Sequence, residues 1–112
     1  MVEKGAQILA VVKEPRCKAK TQVIESGLDS FQKLVGGYIE CIPFPGLDNV
    51  DIFLNEEGKL KDLTPNIWLP EYRDILMGTF FVVGLDEEEG DSVSLTEEQV
   101  VKVLKYINKN LV

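Results

Sequence analysis

Two short runs leave this chain little choice but to build a sheet. Residues 7–13, Gln-Ile-Leu-Ala-Val-Val-Lys, are apolar and β-branched almost throughout and read as a largely buried strand. Thr79-Phe80-Phe81-Val82-Val83-Gly84 is a second such run and the clearest strand in the chain. The other elements have to fit around these two.

Glu14-Pro15-Arg16-Cys17-Lys18 breaks the first run. Residues 19–25 alternate through Thr21, Val23 and Glu25, as expected of a second strand closing a hairpin. Ser26-Gly27-Leu28-Asp29 has the hydroxyl-to-carboxylate spacing of a capping box, and Leu28, Phe31, Leu34 and Val35 then fall on one helical face. Gly36-Gly37 stops that helix. Strands are expected at 38–43 and 50–54. Asn55-Glu56-Glu57-Gly58-Lys59 reads as a hairpin turn in which Gly58 supplies a positive φ, and Leu60–Leu63 pairs back. Two prolines in residues 64–76 argue for a loop with one helical turn rather than a strand. Thr96-Glu97-Glu98-Gln99 opens a last helix with another capping box after Leu95. Its apolar stripe is Val100, Val103, Leu104, Ile107 and Leu111, with Lys102, Lys105 and Lys109 facing water. The order ββαβββ…βα lacks regular βαβ alternation. The expected class is α+β: a single domain over 1–112, with a mainly antiparallel sheet of about five or six strands and two helices.

Composition narrows the function classes. The 112 residues include no histidine, which removes the commonest general base and metal ligand, and with it Ser-His and Cys-His nucleophile pairs. Two cysteines are too few for a cysteine-only zinc site or a disulfide scaffold, so two reduced thiols in a cytoplasmic protein are expected. No apolar run reaches membrane-spanning length, and the N-terminus does not read as a secretory leader. There is no P-loop and no dinucleotide fingerprint. No catalytic residue, metal or cofactor is assigned. Net charge is −7, and residues 1–25 hold five basic against three acidic side chains, so the excess of −9 lies beyond them. Such a chain is a poor general binder of nucleic acid, although the basic loop at 13–20 suits one small anion.

Three segments carry candidate contacts. At Gly36-Gly37-Tyr38-Ile39-Glu40 the plain reading is a helix stop followed by a strand. The functional one has Gly36 and Gly37 giving a ligand close access to backbone N–H groups, with Tyr38 and Glu40 sharing the strand's exposed face. At 55–59 the plain reading is a solvated turn; otherwise Asn55 reads an amide or base edge and Lys59 meets a phosphate. The segment from Asn66 to Arg73 holds the only tryptophan, Trp68, with Tyr72 and one of two arginines, the side chains that stacking and phosphate sites use. The plain reading is that Trp68 and Leu69 only cover one end of the sheet, with Arg73 paired to Glu71 or Asp74. Asp86–Asp91 reads as a solvated acidic turn. It does not match an EF-hand, and its functional reading is contact with a basic partner. Cys17, between Arg16 and Lys18, has surroundings that favour its thiolate.

The blocks Leu34-Val35-Gly36-Gly37-Tyr38-Ile39-Glu40, Asn55-Glu56-Glu57-Gly58-Lys59-Leu60, Asn66, and Asp74 through Gly84 resemble a small domain-of-unknown-function family common in phages, plasmids and integrative elements of Gram-positive bacteria. The resemblance spans roughly residues 7–108. It falls on Gly36, Gly37, Ile39, Glu40, Asn55, Glu56, Gly58, Asn66, Gly78 and Gly84. It implies a setting in which small accessory proteins act against host defence, and it implies no catalytic residues. The first expectation is a non-enzymatic protein that sequesters a small nucleotide-derived signal, in a pocket between subunits of a homo-oligomer. Its contacts would be Gly36, Gly37, Tyr38, Glu40, Asn55, Lys59, Asn66, Trp68 and Arg73. The alternatives are an acidic inhibitor of a host defence protein such as a nuclease, and a carboxylate hydrolase relying on Glu40.

Overall fold

A computed structural model describes residues 5–112. The chain runs β1 (Gln7–Lys13), β2 (Lys20–Glu25), α1 (Leu28–Val35), β3 (Ile39–Pro43), β4 (Val50–Asn55), β5 (Pro65–Leu69), β6 (Asp74–Met77), β7 (Phe80–Leu85), β8 (Ser92–Val93) and α2 (Glu97–Lys109). The main sheet has strand order β2-β1-β7-β4-β3, with β8 extending it beside β7. Every pairing is antiparallel. The α+β class, the six-stranded sheet and the two helices agree with the sequence expectation.

The central strand β7 explains its own composition. Alternation sends Phe81 and Val83 to one face of the sheet and Phe80 and Val82 to the other. Both faces are covered. Phe81 and Val83 join Ile8, Ala10, Val12, Phe31 and Val35 beneath α1. Phe80 and Val82 join Val11, Ile52, Ile67, Leu76, Val103 and Ile107 beneath α2 and the β5–β6 pair. A strand buried on both sides has no polar alternation to show.

Four local expectations are corrected. First, α1 is capped by Gly27, and no side chain bonds the helix start. The Ser26 backbone is committed to the β1–β2 hairpin, donating to the Ala6 carbonyl at 2.7 Å. Leu28 is 56% exposed and does not join the apolar face. Second, Leu60–Leu63 lies in a turn and forms no strand, with Leu60 86% exposed. Third, Gly58 is not a positive-φ residue; that conformation falls to Asp62 in the same turn. Gly58 is glycine because a Cβ there would stand 3.0 Å from the Met77 carbonyl oxygen. Fourth, residues 65–77 form a separate two-stranded sheet. Pro65 sits at the first position of β5, and Pro70 opens a single 3-10 turn (Pro70–Tyr72), so neither removes a ladder bond.

The second capping box is present. Thr96 Oγ1 accepts from the Gln99 N–H, and Gln99 Oε1 accepts from the Thr96 N–H. The α2 stripe is carried by buried Val103 and Ile107, whereas Leu111 lies beyond the helix and is exposed. Among the described residues no helix is long and apolar enough to cross a membrane.

Candidate ligand-binding site

The structure distributes the nine sequence candidates over four places. Gly36, Gly37 and Tyr38 stand at the α1–β3 turn. Gly36 is the left-handed residue that ends α1, at φ 79°. Gly37 is needed because a Cβ there would approach the Asn55 amide nitrogen to 2.8 Å. Tyr38 is exposed. The Asn55 side chain is buried and spent locally: its Nδ2 donates to the Val35 carbonyl, and its Oδ1 accepts from the Glu57 N–H.

Glu40, Asn55 and Lys59 line one cleft of about 240 Å³, together with Glu56, Asp74 and Met77. Lys59 is paired to Asp74 there. That bond, backed by the Ile75 N–H, holds the Asp74 carboxyl below its ordinary range despite partial desolvation. The cleft therefore presents Glu40 and Glu56 against one lysine already neutralised, a poor receptor for phosphate. These carboxylates do not form a metal-binding cluster, and none is found among the described residues.

Asn66 is 2% exposed, with its amide engaged inside the protein. Trp68 lies on β5, and Arg73 lies in the connection from β5 to β6. Ile67 and Leu69 point into the core, and Trp68 points outward, 39% exposed. Arg73 follows the 3-10 turn in a left-handed conformation, at φ 49°. The expected partners of Arg73 are taken elsewhere: Asp74 by Lys59, and Glu71 by the Tyr106 hydroxyl. Arg73 forms no ion pair among the described residues.

The turn that leads into Arg73 is anchored to a pocket the candidate list missed. This pocket, about 250 Å³, lies between the Phe44-Pro45-Gly46-Leu47 turn and α2. Phe44, only 2% exposed, meets Tyr106 edge to face at 5.0 Å between ring centroids, so the half-buried Tyr106 ring supplies the pocket's aromatic wall. Lys102, Lys105 and Lys109 stand around it at helical spacing. Lys102 is bonded to Glu98, whereas Lys105 and Lys109 form no ion pair among the described residues. Two bonds hold the neighbouring turn against this wall. The Tyr106 hydroxyl donates to Glu71, and the Tyr72 hydroxyl donates to the Pro43 carbonyl at 2.7 Å. Burial, then the Glu71 carboxylate, pushes the Tyr106 hydroxyl pKa well up, so it stays protonated. The available signal was three lysines on one face of a helix in an acidic chain, which the sequence presents as an ordinary solvated face.

What the fold defines first is a class: a small α+β domain on an antiparallel sheet with two helices. The chain belongs to DUF3846, a family of domains of unknown function whose model matches residues 8–108. No curated protein and no solved structure matched it.

Proposed function

We propose that this domain is a non-enzymatic binding protein that captures a small nucleotide-type anion at the Phe44–Tyr106 pocket. The observation that carries the reading is one of charge: in a chain of net −7, Lys105 and Lys109, which form no ion pair among the described residues, stand with the Glu98-bonded Lys102 around the Tyr106 ring. An aromatic face accepts a base, and ammonium groups accept phosphate. Trp68 and Arg73 lie outside the lining of this pocket. At about 250 Å³ the pocket is smaller than a typical small-molecule site. A whole nucleotide is then held by this pocket and a second copy of the chain together, consistent with a homo-oligomer. In the setting implied by the family resemblance, such a protein is a sequestering, counter-defence accessory acting in the host cytoplasm.

The test is a thermal-shift screen against cyclic nucleotides and ADP-ribose derivatives. A ligand at about a hundred times its dissociation constant adds roughly 2.7 kcal/mol, on the order of ten degrees for a domain this size. The ligand should be recovered intact, and the shift should disappear in Lys105→Gln/Lys109→Gln. A shift that survives that variant, or no shift across the panel, refutes the pocket assignment.

One observation favours a second reading. At the 86–91 turn Asp86 is turned inward to accept the Glu88 N–H, leaving Glu87, Glu88 and Glu89 exposed together. An acidic tip of this kind suits a basic protein surface. Salt-sensitive binding to a basic host defence protein, lost on neutralising those three glutamates, would establish it.

A further inference from the structure

β1 ends on a charged residue inside the protein. Lys13 is 2% exposed and has no carboxylate partner among the described residues. Its ammonium donates to Asn66 Oδ1 at 2.7 Å and to the Glu14 carbonyl at 2.8 Å, both neutral acceptors. An ammonium has three N–H donors, so one is left over. Covering a charge without a counter-ion is costly. Desolvation accordingly lowers the Lys13 pKa, opposed in part by the charge of Cys17.

Lys13 also lines a cavity of about 220 Å³, shared with Arg16, Cys17, Lys18, Asn66 and Asn108 and closed on one side by Leu111 and Val112. No Asp or Glu side chain contributes to this lining. Arg16 is held at φ 64°, a left-handed conformation that non-glycine residues seldom adopt, on an exposed loop. Three cationic side chains thus meet around a hollow lined by no acidic side chain, one of them from beneath.

We propose that this cavity is a binding site for a phosphate-type oxyanion, separate from the α2 pocket. The Lys13 ammonium contributes its third N–H from the floor, and Arg16 and Lys18 close on the oxyanion from the rim. A guanidinium matches two oxygens of such a group at once. The volume suits a phosphate group rather than a whole nucleotide.

The test follows backbone and Asn side-chain amide signals of the isotope-labelled protein as inorganic phosphate is added. Saturable shifts are expected at residues 13–18 and at the Asn66 amide. Arg16→Gln/Lys18→Gln changes only exposed positions and should weaken the affinity by about tenfold or more. Lys105→Gln/Lys109→Gln should leave these shifts intact, which separates this site from the α2 pocket. A parallel titration with a nucleoside monophosphate tells a phosphate ester from free phosphate by which of them binds more tightly. Absence of saturable shifts around Lys13 at roughly ten times a millimolar dissociation constant overturns the proposal. So does undiminished binding in Arg16→Gln/Lys18→Gln. Neither result bears on the α2 pocket.

Discussion

Lys13 and Asn66 bond each other in both directions. The ammonium donates to Asn66 Oδ1 at 2.7 Å, and Asn66 Nδ2 donates back to the Lys13 carbonyl at 2.9 Å. The same Nδ2 donates to the Gly78 carbonyl at 2.8 Å. One amide thereby joins the end of β1, the start of β5 and the turn between β6 and β7.

Asn66→Ala should therefore be among the more damaging single changes. It strips the ammonium of one acceptor and leaves two buried carbonyls without their donor. The expected loss is about 3 kcal/mol, on the order of 15 °C in melting temperature, read by circular dichroism. A loss below about 1 kcal/mol would show that water replaces the amide without difficulty.

Lys13 also sets a pH dependence. Its pKa is lowered on folding from 10.5. The unfolded chain then binds more protons than the folded one between the two values, so this group's contribution to stability rises with pH up to about 10.5. Tyr106 and Cys41, both raised on folding, act in the opposite sense at the alkaline end. The Lys13 part is isolated by subtracting the profile of Lys13→Met. Identical slopes in the two proteins below pH 10 would contradict it.

Gly37→Ala and Gly36→Ala should both destabilise, for different reasons. At Gly36 there is open space but a left-handed φ, which costs alanine about 1 kcal/mol. At Gly37 the new methyl displaces the Asn55 amide from the Val35 carbonyl, at about 1–2 kcal/mol. The cost at Gly37 should shrink in an Asn55→Ala background, whereas the cost at Gly36 should not. A double-mutant cycle measured by urea unfolding makes the distinction.

The Cys41 thiol should react slowly. Desolvation of its sulfur, then Asp51, pushes the pKa of Cys41, an exposed residue, up to about 12. At pH 8 only about one part in ten thousand of Cys41 is then thiolate. Alkylation of Cys41 at that pH should be slow, and Asp51→Asn should accelerate it. Mass spectrometry with iodoacetamide reports each cysteine separately. Rapid modification of Cys41 in the native protein would rule out this environment.

What the sequence determined by itself is whatever depends on neighbours in the chain. The β7 run, the Gly36 stop and the Thr96–Gln99 box are each fixed within a few residues by pleat, backbone conformation and local hydrogen bonding. Tertiary structure decided the rest. Pro65 and Pro70 read against a strand until the fold places one at the first position of β5 and the other just beyond its last. Lys13 reads as the polar end of a strand until Asn66, 53 residues away, closes over it. Lys102, Lys105 and Lys109 read as a solvated stripe until the Phe44–Leu47 turn rises against α2 and makes them the rim of a pocket. A site is a meeting of surfaces distant in sequence, and which surfaces meet is settled by how the two cores pack on the sheet.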